Sequence, residues 1–73
     1  MKLQAFIEID NSKRFGRPIL KGTRISVVDI LQMLANGMSR EDILLDFPEL
    51  TDQMILASLS YAADREQISR VAS

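Results

Sequence analysis

The chain has no cysteine, no histidine and no tryptophan among its 73 residues. Without cysteine there is no disulfide to staple a small domain, and without a Cys/His set there is no zinc site of the usual kind. The commonest catalytic base and the thiol nucleophile are missing together, so the composition argues against an enzyme, and no cofactor is expected. Asp42, Asp46, Glu49 and Asp52 offer oxygen ligands, but helix capping and solvation account for each, and no metal is expected there. The lack of cysteine agrees with a reducing compartment. Long hydrophobic runs are also absent. The longest, Met54 to Ala57, has four residues, whereas a membrane span needs about 20. The N-terminus shows no apolar signal-peptide core, so the chain reads as soluble and cytoplasmic, with no membrane partner. Glycine and proline are few, three and two, so each marks a particular turn.

What is present is 47% hydrophobic and 26% charged residues, with a formal net charge of −1. That suits one domain, residues 1–73, with one small core. A domain of this size buries only ~60% of the surface its unfolded chain exposes, so association is the remaining source of support and a homodimer is expected. The small net charge hides a polarity. Lys13, Arg14, Arg17, Lys21 and Arg24 follow one another with no acid between them, whereas Glu41, Asp42, Asp46, Glu49, Asp52, Asp64 and Glu66 fill the second half. For the acids, solvation is explanation enough. The basic run instead suggests a surface for phosphates or for an acidic protein, and residue type alone does not choose between them.

Local patterns give the elements. From Leu3 to Asp10 apolar residues alternate, with Leu3, Ala5, Ile7 and Ile9 on one face, which predicts a half-buried strand. Phe6 breaks the alternation, either as an edge-packed or exposed aromatic or as a contact across a dimer. Gly16 and Pro18 bend the chain, and Ile19-Leu20 and Arg24-Ile25 flank Lys21-Gly22-Thr23. A tight hairpin with Gly22 at positive φ would gather Arg17, Lys21 and Arg24 at its rim. Ser26 with Asp29 is an N-cap pair for a helix over 27–36, which Gly37 closes. Ser39 with Asp42 repeats the device for a second, two-turn helix ended by Pro48. Thr51 caps a third, over 52–65, with Ile55, Leu56, Leu59, Ala62 and Ala63 expected to face inward. Residues 66–73 read as a tail.

The expected fold is therefore mainly α with a small N-terminal β part. A strand and short β-hairpin (1–25) precede a three-helix, helix-turn-helix-like bundle of homeodomain-like or winged-helix-like type (26–65). Such a unit places its last helix in a DNA major groove. Gln53 can read adenine there, but Glu49 and Asp52 bring the wrong sign to phosphates. A ribbon-helix-helix dimer is disfavoured by Glu8 and Asp10 on the strand's polar face and by the long connection to the first helix. Gly16 with Lys21-Gly22-Thr23 has the wrong order for a phosphate-binding loop, because lysine precedes glycine.

Gly16-Arg17-Pro18-Ile19-Leu20-Lys21-Gly22-Thr23-Arg24-Ile25-Ser26-Val27 stands ahead of Asn36-Gly37-Met38-Ser39, Glu41-Asp42-Ile43, Phe47-Pro48-Glu49-Leu50-Thr51 and Ala57-Ser58-Leu59-Ser60-Tyr61-Ala62. Over about residues 6 to 63 this series closely resembles domain-of-unknown-function family 433, and the Gly-x-Pro-x-x-x-Gly-Thr-Arg element is the most specific part. The resemblance implies a bacterial or archaeal protein with a helix-turn-helix-like core. It also implies a VapB-like antitoxin of a type II toxin–antitoxin pair, which binds and neutralises a PIN-like ribonuclease toxin and, as a dimer, its own promoter DNA. Arg17, Lys21 and Arg24 are the residues the resemblance directs to toxin or DNA; with Lys13 and Arg14 from the basic run and Gln53 from the third helix they make up the candidate binding residues, and Gly16, Pro18, Gly22, Thr23, Gly37 and Pro48 are expected to shape the turns. The other class of function is a protein-binding adaptor or structural dimer that does not touch DNA.

Overall fold

The computed structural model describes residues 2–9 and 16–72, with side chains described as far as Asp64. Lys13 and Arg14 lie outside the described residues. A 3-10 turn at Leu3–Ala5 leads into strand β1 (Ile7–Glu8), followed by strand β2 (Ile19–Leu20) and helices α1 (Val27–Ala35), α2 (Arg40–Asp46) and α3 (Asp52–Ala72). An antiparallel β pair followed by three helices is the expected class, mainly α with a small N-terminal β part.

β2 lies between two neighbours. It pairs with β1 in the register Ile7↔Leu20 and Glu8↔Ile19. Its other edge meets the chain entering α1, through a bridge from Ile19 to Ser26. There the Leu20 N–H donates to the Ile25 carbonyl at 2.9 Å, and the Val27 N–H donates to the Pro18 carbonyl at 3.0 Å. Both residues of β2 are buried, at 1% and 0% exposure. That is why two adjacent apolar residues, rather than an alternating pair, occupy the centre of the ladder.

The strand expected over Leu3 to Asp10 is much shorter than its alternation suggests. A strand needs a partner with free ladder groups, and β2 offers only two residues before the chain turns at Lys21. Ahead of Ile7 the chain closes locally instead: the Ala5 N–H donates to Lys2 at 3.1 Å and the Phe6 N–H to Leu3 at 2.9 Å. Ile9, expected inside, is 62% exposed. Phe6 is half-buried and packs against the core.

The helices begin at their expected caps. The Ser26 hydroxyl accepts the Asp29 N–H at 3.0 Å, and the Asp29 carboxylate accepts the Ser26 N–H at 3.0 Å. Ser39 and Asp42 repeat the reciprocal pair at 3.1 and 3.2 Å. Each box satisfies two N–H groups that a helix start otherwise leaves open, and losing such a cap costs about 0.5–2 kcal/mol. Gly37, at φ +94, turns the chain out of α1, and Pro48 follows the α2 C-cap Phe47. The Thr51 hydroxyl accepts the Met54 N–H at 3.2 Å at the start of α3. α3 continues through 66–72, the stretch read from the sequence as a tail.

One core joins these elements, built from Ile7, Leu20, Ile25, Val27, Ile30, Ile43, Leu50, Ile55 and Ala57. α3 packs on α1, α2, β1 and the N-terminal turn. Its inward face differs from the one expected. Ile55 is buried, but Leu56 and Leu59 are 37% and 41% exposed, while Ala57 and Ser58 are fully buried. Ala62 is half-buried and Ala63 exposed. Close approach of α3 to its neighbours favours the face with the smallest side chains, since a packed interior has no spare volume for a leucine at positions 57 and 58. The Ser58 hydroxyl needs no outside partner, because it donates to the Met54 carbonyl at 3.0 Å.

Candidate docking site

The Lys21–Arg24 turn connects β2 to the segment that enters α1, both of which the core holds. Thr23 fixes the shape of the turn. Its N–H and its hydroxyl both donate to the Leu20 carbonyl, at 3.1 and 2.8 Å, and the hydroxyl oxygen accepts the Ile25 N–H at 3.0 Å. On the β1 side the Lys21 N–H donates to the Phe6 carbonyl at 2.9 Å. Gly22 has φ +79, in the left-handed region that glycine enters without steric cost. The expected hairpin is therefore present, with Thr23 a tighter organiser than a turn-forming residue type alone implies.

Arg17, Lys21 and Arg24 are all exposed. None has an ion pair among the described residues. Arg17 precedes Pro18, whose carbonyl takes the Val27 N–H, and follows Gly16 at φ +78. Lys21 and Arg24 thus stand at the turn end of the β2 ladder, whereas Arg17 stands beyond its other end, where Pro18 meets Val27, so the rim expected to gather all three cations holds two. Arginine and lysine presented this way offer charge-assisted hydrogen bonds to carboxylates or phosphates.

The other candidate, Gln53, is on a separate element. It is exposed in the first turn of α3, beside exposed Glu49 and Asp52. Asp52 is met by Arg40, with a nitrogen–oxygen separation of 3.5 Å and both side chains about half exposed. Sequence reasoning missed this pair. Arg40 and Asp52 each open a helix after a capping residue, and no spacing rule connects residues on two different helices. Among the described residues no group of carboxylates is gathered as a metal site. An open groove of about 310 Å³ borders α1, lined by Ile25, Asp29, Gln32, Met33, Asn36 and Phe47. No single motif marks it, since its walls come from three elements.

Compared with known families, residues 7–62 match the model described as "Protein of unknown function (DUF433)". The chain belongs to the DUF433 family. The match runs from the first residue of β1 into α3, so the family unit includes the ladder, the basic turn, α1, α2 and the part of α3 that packs on the core. The match ends close to Tyr61, the last described residue packed against the core. No curated protein matches the chain. No solved structure matches it either. No helix among the described residues is long and apolar enough to cross a membrane.

Proposed function

We propose that this DUF433 protein is a non-catalytic antitoxin that docks on an acidic, PIN-like ribonuclease toxin through its basic turn. The observation that carries this reading is the turn itself: exposed Lys21 and Arg24 without ion pairs among the described residues, on backbone closed by the Thr23 hydrogen bonds, with exposed Arg17 beyond the other end of β2. A nuclease that works through carboxylate-held metal presents clustered negative charge, and cations on an already closed turn match it with only their side chains left to order. Dimerisation and promoter binding belong to the same reading as further tasks. Purified chain added to the ribonuclease should stop RNA cleavage at a one-to-one ratio. The Arg17→Ala/Lys21→Ala/Arg24→Ala variant should require far more protein. Equal inhibition by the two proteins would refute the assignment of the turn.

A second reading, a protein-binding adaptor that does not engage DNA, is favoured by one observation. Glu49 and Asp52 are exposed where a recognition helix would enter a groove, and anions there repel phosphates. Binding to duplex DNA at low salt separates the two. Phosphate contacts by the basic residues require log affinity to fall with log salt at about −0.9 per contact, and no binding at low salt leaves the adaptor.

A further inference from the structure

The geometry points to the Lys21–Arg24 turn as a main-chain oxyanion receptor, with the Gly22 and Arg24 amides as donors and a carboxylate of a protein partner as occupant. The inference deepens the docking reading and relies on it for the choice of occupant. It starts from the hydrogen bonds of the turn. The N–H groups of Lys21, Thr23 and Ile25 are used, on Phe6, Leu20 and the Thr23 hydroxyl. The two amides between them, those of Gly22 and Arg24, have no acceptor among the described residues. Both residues are exposed. Space above the turn is open as well, because a Cβ built on Gly22 would meet nothing within 4 Å.

Two unpaired main-chain donors two residues apart in an exposed turn, flanked by the cationic side chains of Lys21 and Arg24, offer the partial positive charge that backbone anion sites use. Thr23 is a positioning residue. By engaging Leu20 and Ile25 it closes the turn so that the alternate amides remain unpaired. A carboxylate is taken as the occupant because the docking reading supplies an acidic protein surface. Exposed Glu49 and Asp52 oppose a polyanion that must cover more than one turn.

The test is a two-dimensional amide NMR titration of the full chain with sodium acetate, against sodium chloride at the same ionic strength. Expected are saturable shifts at Gly22 and Arg24 with acetate only, and little change at Lys21 and Ile25, whose amides are already bonded. Thr23→Val removes both hydroxyl hydrogen bonds and should weaken the acetate response at least about tenfold, and Thr23→Ser should restore it. Should Thr23→Val not fold, Lys21→Gln/Arg24→Gln keeps the amides and removes the flanking charge; Gly22 and Arg24 should then still respond to acetate with a weaker midpoint, and loss of any response confined to them would overturn the receptor. Shifts that follow chloride equally, or that spread over lysines and arginines throughout the chain, would overturn the receptor. Poly-L-glutamate and a short DNA duplex then decide the occupant. Gly22 and Arg24 shifts with poly-L-glutamate alone support a carboxylate, and stronger shifts with the duplex overturn that choice. A ribonuclease that depends on Arg17, Lys21 and Arg24, with no amide response to acetate, would leave the docking reading standing without this receptor. An amide response with no ribonuclease inhibition would do the reverse.

Discussion

Two short connections shape the surface of this protein, and a threonine organises each. In the Lys21–Arg24 turn the Thr23 hydroxyl ties together Leu20 and Ile25, and the charges on display are all positive. In the corner between α2 and α3 the Thr51 hydroxyl caps Met54, and the exposed charges are Glu49 and Asp52, with Arg40 folded onto the latter. Similar local chemistry thus builds two rigid edges of opposite sign. The corner, where a helix-turn-helix protein would meet DNA, has its cation engaged on an internal acid. The turn keeps Lys21 and Arg24 without ion pairs among the described residues. What a partner meets on each edge is therefore decided less by the fold than by which charges are already satisfied.

The comparison breaks most completely if the turn is stripped of its cations. Replacing Arg17, Lys21 and Arg24 by alanine should weaken partner binding about 10- to 100-fold, at up to roughly 1 kcal/mol for each exposed pair. Thermal stability should change by less than about 1 kcal/mol, as at other exposed sites. Calorimetric titration and a melting curve on the same protein would report both. Gly22→Val attacks the shape of the turn rather than its charge. A β-branched residue at φ +79 is strained even in open space, and a denaturant titration should show a loss of about 1–3 kcal/mol.

Smaller effects sharpen the contrast between buried and exposed caps. Ser26→Ala should cost about 1–2 kcal/mol and Ser39→Ala about 0.5–1 kcal/mol, since Ser26 is fully buried and Ser39 exposed. Equal losses would mean that burial adds nothing to the capping box. Smallest is Arg40→Ala. Its half-exposed pair with Asp52 should contribute no more than about 0.5–1 kcal/mol and fade with added salt. A loss that persists in high salt would show that Arg40 supports the corner through packing.

Much of this architecture was legible in the sequence because it is local. Ser26 with Asp29, Ser39 with Asp42, and Thr51 each mark a helix start within three residues, and Gly22 and Gly37 occupy positions that require positive φ. Less legible were features that depend on distant partners. The alternation from Leu3 to Ile9 does not reveal that β2 offers only two residues to pair with. Leu56 and Leu59 carry more hydropathy than Ala57 and Ser58, yet close packing buries the smaller pair. The basic run was readable as a charge pattern, but that Arg17, Lys21 and Arg24 have no ion pair among the described residues is a property of the folded chain, as is the Arg40–Asp52 pair.

The central claim, that the basic turn docks an acidic protein partner, is tested most directly by affinity purification from the native host at low salt. Tagged chain and its Arg17→Ala/Lys21→Ala/Arg24→Ala variant would be compared, with co-eluting proteins identified by mass spectrometry and nucleic acid quantified. The account predicts a PIN-like ribonuclease in stoichiometric amount with the unaltered chain and little of it with the variant. Recovery of that ribonuclease in equal amounts by both, or of DNA in its place, would contradict it.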